Sequence, residues 1–229
     1  MMSKSELVIR IPQGSAEANV SYVDTDGISK QKLVMVSDVV SSLMSSFKFS
    51  TGLLPNNTRF FSGTKTSYTI GIETPPRIRR FLKSSSSTGK LPGELKIPFP
   101  TCLFVFEVKG GRITDTKVFA LRGLAQREVD TVCRFPFGNT YNDGRVCWGS
   151  NKLPAIPNPL ALVSIVATFF DAPFNGDLFD SSTIQRPADH KHKLMDFWAM
   201  LVYLNKKEVF PQEMLYNLKI KIGKLMREK

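Results

Sequence analysis

The segment FPFGNTYNDGRVCWGSNKLP, residues 135–154, gathers the side chains best suited to chemistry. Cys147 carries a sulfur that is a competent acyl-transfer nucleophile once deprotonated. Asn142, Asp143 and Gly144 tolerate the backbone geometry of a tight turn just upstream. Val146 offers an apolar anchor beside the cysteine, so the thiol is expected to combine access with support. Tyr141 and Trp148 flank the turn and the thiol and complete the expected loop support.

Other reactive types are weaker candidates. Cys102 lies within the apolar run CLFVF and reads as core, and Cys133 as packing. Three cysteines are too few for a disulfide scaffold, and their odd number leaves at least one free, which suits a reducing cytosol. His190 and His192 stand two apart near Asp189 and Asp196, without convincing metal-ligand spacing; a solvated helix start is the expectation. They lie 43 and 45 residues beyond Cys147, so a cysteine hydrolase would lack a recognisable histidine motif. Trp198 and Tyr203 are expected to pack a helix.

Charge is ambiguous. Thirty-one Lys+Arg against 20 Asp+Glu over 229 residues gives +11, which attracts nucleic acid, anionic membrane or acidic protein alike. PPRIRRFLK at 75–83 concentrates Arg77, Arg79, Arg80 and Lys83. This set reads first as solvated surface, then as a candidate partner-binding patch. Phosphate binding with Phe81 stacking ranks last, for want of a recognisable nucleic-acid module. No apolar stretch approaches about 20 residues, and MMSKSELVIRIPQG lacks a signal-peptide core.

These residues need a scaffold. ELVIRI at 6–11 and NVSYV at 19–23 predict a hairpin, followed by a helical face of Leu33, Val36, Val39, Val40, Leu43, Met44 and Phe47, with Ser37 capping a helix from Asp38. Strands are expected over 58–72, in CLFVF, whose continuous apolarity implies cover on more than one side, and over 113–123. SSSSTGKLPGE at 84–94 reads as a connector and 131–159 as a long ordered loop. Helices are predicted from Pro159 through 170, over 190–206 and over 211–226, where Leu215, Leu218, Ile222 and Leu225 form a stripe. The order predicts an α+β fold, with 1–57 as a β/helical region and 58–229 as the catalytic region.

Asn139 through Trp148 resembles the active-site segment of ubiquitin-conjugating (E2) enzymes, which carry His-Pro-Asn, a short turn often containing Asp-Gly, an apolar residue and the catalytic Cys-Leu. Asn139 matches the Asn, Asp143 and Gly144 the turn, Val146 the apolar support and Cys147 the nucleophile, eight residues after Asn139. Phe137 and Gly138 replace the His-Pro pair, and Trp148 and Gly149 the residues after the cysteine. The FPFxNxYxDGRVCWG style of segment is similar to bacterial E2-like proteins of the PRTRC system protein B group, which accompany E1-like and ubiquitin-like partners. The resemblance implies a ubiquitin-conjugating-enzyme-like fold: an antiparallel β-meander, an active-site cysteine loop and C-terminal helices, with an N-terminal elaboration. It implies that Cys147 accepts a ubiquitin-like protein from an E1-like enzyme as a thioester and passes it to an amine of a target, in the bacterial cytoplasm. Asn139 would orient the loop or donate to the developing oxyanion. No cofactor is expected, since ATP is consumed by the E1. A noncatalytic E2-like scaffold and a basic nucleic-acid-binding protein are the alternatives; no membrane partner is expected.

Overall fold

The computed structural model describes residues 7–23, 26–46, 50–81, 95–194 and 196–227. Lys83 and the connector at 84–94 lie outside the described residues. The chain divides into two compact units, Met1–Ser50 and Thr51–Lys229. No helix among the described residues is long and apolar enough to cross a membrane.

In the first unit, β1 (Leu7–Arg10), β2 (Glu17–Val23) and β3 (Ser29–Met35) form an antiparallel sheet in sequence order, and α1 (Val36–Ser46) follows at once. The expected hairpin is present, and a third strand joins it. Leu33, read as part of the helical face, instead pairs with Asn19, and Val34 and Met35 continue the ladder opposite Ala18 and Glu17. The pairing runs on into the helix: Val36 N–H donates to the Ala16 carbonyl at 2.8 Å, so α1 begins two residues before Asp38. Satisfying the open edge of β2 outweighs the local helical spacing.

The second unit is built on a six-stranded antiparallel sheet. Its strands are β4 (Thr58–Gly63), β5 (Ser67–Thr74), β8 (Thr101–Lys109), β9 (Arg112–Leu121), β10 (Thr131–Arg134) and β11 (Asn217–Lys221), in the order β11-β10-β9-β8-β5-β4. A separate two-stranded sheet, β6 (Arg77–Phe81) with β7 (Leu95–Phe99), interrupts the sequence between β5 and β8. Alternation along the strands feeds two cores. Cys102, Phe104, Phe106, Val118 and Ala120 join α2 (Leu162–Asp171) and α3 (Phe197–Leu204) in the larger. Leu103, Val105, Phe119 and Leu121 join α4 (Ile222–Leu225) in the smaller. CLFVF is therefore covered on both sides, as its continuous apolarity predicts. The α+β class is observed, with an antiparallel sheet and helices after it, an architecture broadly that of ubiquitin-conjugating enzymes.

Three expectations change. Residues 131–134 of the supposed loop are β10. The helix predicted over 190–206 is confined to Phe197–Leu204, because Asp196 accepts from Ala199 N–H at 2.9 Å and starts it there. The helix predicted over 211–226 is a 3-10 turn, then β11, then the four residues of α4. Leu218, Ile220 and Ile222 also alternate with Lys219 and Lys221, and that two-residue period pairs with β10. Lys219 and Lys221 thus lie on β11, and Lys224 in the last turn of α4.

Candidate active site

Strand β9 has two successive partners along one edge, and the change between them creates the site. Its upper part pairs with β10, Cys133 opposite Ala120 and Arg134 opposite Phe119. The chain then leaves the ladder over 135–143 and returns. Gly144 accepts from Val118 N–H at 2.8 Å, Arg145 bridges Lys117, and Val146 N–H donates to Thr116 at 2.8 Å. The excursion folds on itself as a small hairpin. Thr140 bridges Val146, Tyr141 N–H donates to Arg145 at 2.9 Å, and Gly144 N–H donates to Tyr141 at 3.0 Å. The predicted turn at Asn142-Asp143-Gly144 is present. Gly144 is required there: its φ is +88°, and an added Cβ would lie 2.5 Å from the Phe119 ring.

The base of the excursion is buried. Phe135 and Phe137 belong to an aromatic cluster in which Phe137 and Phe99 have ring centroids 4.4 Å apart, and Phe135 sits 5.4 Å from both Phe137 and Phe169. The residue standing where E2 enzymes carry histidine is thus a core anchor. Gly138 passes against the Asn175 carbonyl, where a Cβ would collide. Asn139 has φ +66°, and its Nδ2 donates to the Pro173 carbonyl at 2.9 Å. Both ties reach the segment after α2.

Cys147 follows the buried Val146 and is half-buried. Its N–H donates to the Asn139 carbonyl at 2.8 Å, linking the two ends of the predicted motif. The Tyr141 hydroxyl donates toward Cys147 Sγ across 3.7 Å. That bond raises the Tyr141 phenol above its ordinary range. The Arg145 guanidinium stands 5.5 Å from the Tyr141 ring centroid and 2.7 Å from the Asp143 carboxylate. Burial pushes the Asp143 carboxyl up, but bonds from Arg145 outweigh it and hold the group below the usual carboxylate range. Trp148 packs edge-on to Phe169 at 6.2 Å, with its indole N–H buried and, among the described residues, without a hydrogen-bond acceptor.

Beneath the turn lies a residue the spacing did not single out. Arg134 is only 4% exposed. It donates to Asn142 Oδ1, to the Leu178 carbonyl at 3.1 Å, and pairs with Asp180 at 3.5 Å. It thereby joins the turn to the chain after α2. Between them opens a cavity of about 520 Å³ lined by Tyr141, Asp143, Arg145, Asp177, Phe179 and Asp180, among others. Asp177 and Asp180 lie 30 and 33 residues beyond Cys147, and only the tertiary fold brings them to the turn.

The remaining candidates stand apart. Cys102 and Cys133 are buried, and burial pushes the first thiol up to about 12 and raises the second. His190 and His192 lie on a turn, with His190 Nδ1 2.7 Å from the His192 carbonyl oxygen. No group of three or more metal-ligating side chains occurs among the described residues. Trp198 packs on Phe197 at 5.0 Å, and Tyr203 donates to Asp189 at 2.5 Å. Arg77 and Arg80 are exposed on β6, whereas Arg79 is half-buried.

Comparison with known proteins places this geometry in context. The family described as Prokaryotic E2 family D matches residues 39–218, a span running from α1 to β11 and containing the whole excursion. No curated protein matches, and no solved structure matches.

Proposed function

The chain belongs to prokaryotic E2 family D, and from that premise we propose that it is a thioester carrier for a ubiquitin-like protein, with Cys147 as the accepting residue. The observation that carries the reading is the hairpin that leaves β9, returns to it and holds one half-exposed thiol under the Tyr141 hydroxyl. The Cys147 thiolate attacks the C-terminal thioester of a ubiquitin-like protein held by an E1-like enzyme. A new carbon–sulfur bond forms, the old one breaks, and the E1 thiolate leaves. An amine of a target then attacks the Cys147 thioester, an amide forms, Cys147 leaves as thiolate, and the amine proton passes to solvent. ATP is spent on the E1, and this chain needs none.

An amine acceptor suits the surroundings. The Asp143, Asp177 and Asp180 carboxylates line the cavity beside Tyr141, and a cation approaching the thioester would meet them first. Asn139 acts as the loop's brace through Pro173, with Tyr141, Asp143, Gly144, Val146 and Trp148 as its support. The likeness of the FPFGNTYNDGRVCWG segment supports reading the chain as one of the PRTRC system protein B group, acting in the bacterial cytoplasm with an E1-like enzyme, a ubiquitin-like protein and a target protein as partners. Nucleic acid ranks below these.

The test combines the cognate E1, the ubiquitin-like protein, ATP and this chain. A dithiothreitol-sensitive adduct that disappears in Cys147→Ala is expected. Persistence of the adduct in that variant overturns Cys147 as the acceptor, and no adduct on the intact chain with a demonstrably active E1 overturns the carrier reading and leaves a noncatalytic scaffold.

A further inference from the structure

The basic strand β6 carries features the carrier chemistry does not use. Arg77 and Arg79 pair with Phe99 and Ile97, so both stand on the face of the hairpin that carries those two buried residues. The Arg79 guanidinium lies 3.8 Å from the Phe170 ring centroid, near the C-terminus of α2. Its Nε is buried, and among the described residues it has no hydrogen-bond partner. Desolvation, then the like charge of Arg77, weakens Arg79's hold on its proton. A stacked, partly dehydrated guanidinium beside a second cation is a site that an anion would complete.

The backbone says what shape that anion comes in. Among the described residues, β6 pairs only with β7, which leaves its other edge open for a further strand. Residues of an added strand placed opposite Arg77 and Arg79 would be two apart and on the same face, within cross-strand reach of both guanidinium groups. Asp171 stands near enough to Arg79 to act on its charge, and that negative charge penalises a phosphate dianion more than a carboxylate. We propose that the open edge of β6 is a docking site for an extended acidic segment of a protein partner, bound as an added strand with carboxylates at alternate positions on Arg77 and Arg79. Ile78 and Arg80 point to the opposite face, and Ile78 is half exposed there, so an apolar residue between the two acids would find a contact. This surface is independent of Cys147.

Fluorescence anisotropy on the full chain provides the test, with a labelled short peptide alternating Glu with Val and Thr. Saturable binding is expected, weakened about tenfold or more by Arg77→Glu and by Arg79→Met. Arg77 is exposed, so its charge reversal reports on the site even if Arg79→Met unfolds. A peptide of the same composition with a central proline, which cannot pair along the edge, is expected to bind much more weakly. Cys147→Ala is expected to bind with wild-type affinity, which separates this result from the fate of the carrier reading. No binding, binding indifferent to Arg77→Glu, equal binding of the proline peptide, or preferential binding of a single-stranded oligonucleotide each overturns the proposal.

Discussion

The hydroxyl of Tyr141 and the sulfur of Cys147 lie 3.7 Å apart, with the hydroxyl as donor, on opposite sides of a hairpin closed by Gly144. Tyr141 is itself braced by Arg145, which is held by Asp143. A residue expected only to support the loop therefore also touches the Cys147 sulfur. Because an O–H donor favours an anionic acceptor, Tyr141→Phe is expected to slow alkylation of Cys147 by iodoacetamide at neutral pH by about threefold. The Tyr141 phenol is raised, so the donor persists through neutral pH and is lost only in alkali. A rate difference that closes at high pH is the expected signature, read by quenched-flow labelling and intact mass.

The other two thiols are predicted to be silent. Cys102 is fully buried and Cys133 nearly so, and burial raises both. Native labelling should modify Cys147 alone, and labelling in urea all three, as counted by mass spectrometry. Cys102 also predicts an alkaline limit. Its thiol ionises near 9 when unfolded and near 12 when folded, so its contribution is full below 9 and is lost as pH rises between the two. The stability gap between wild type and Cys102→Ala should narrow by about 1 kcal/mol per pH unit over that window, measured by urea denaturation.

Particular elements show what the chain made legible. CLFVF announced a strand buried on both faces because its apolar residues are continuous and bounded by Pro and Gly. The Asn139-to-Cys147 motif was readable because its parts are close in sequence and bonded to each other, N–H to carbonyl. Around β11 the sequence supports two periods at once: Leu215, Leu218, Ile222 and Leu225 fit a helix, while Leu218, Ile220 and Ile222 fit a strand. Only pairing with β10 chooses between them. Arg134, Asp177 and Asp180 escaped because their roles depend on contacts between segments far apart in sequence.

Gly144→Ala tests the turn directly. The substitution places a side chain at φ +88° and drives its Cβ into Phe119, a residue of the smaller core. A loss of about 2 kcal/mol is expected in thermal or urea unfolding. Faster hydrogen exchange at the Val146 and Cys147 N–H groups should accompany it, since the first bonds the returning arm of the hairpin to Thr116 of β9 and the second bonds it to Asn139.

Arg134 tests the joint between the hairpin and the segment after α2. Its guanidinium reaches Asn142, Leu178 and Asp180 from a position almost closed to solvent. Arg134→Met leaves the Asn142 amide oxygen, the Leu178 carbonyl and the Asp180 carboxylate without this donor; because Asp180 keeps its bond from Ser182 N–H and is partly open to solvent, a loss of about 2 kcal/mol is expected. Arg134→Lys keeps the charge but replaces a planar fork with a point donor that cannot span three acceptors, so it should restore only part of that stability. The two variants should also part from Gly144→Ala in where the loosening falls. Hydrogen exchange should rise at Gly144, whose N–H closes the turn on Tyr141, and at Phe179, whose N–H bonds to Gly176. Protection at both sites in Arg134→Met would mean that the turn and the segment after α2 are held independently of each other.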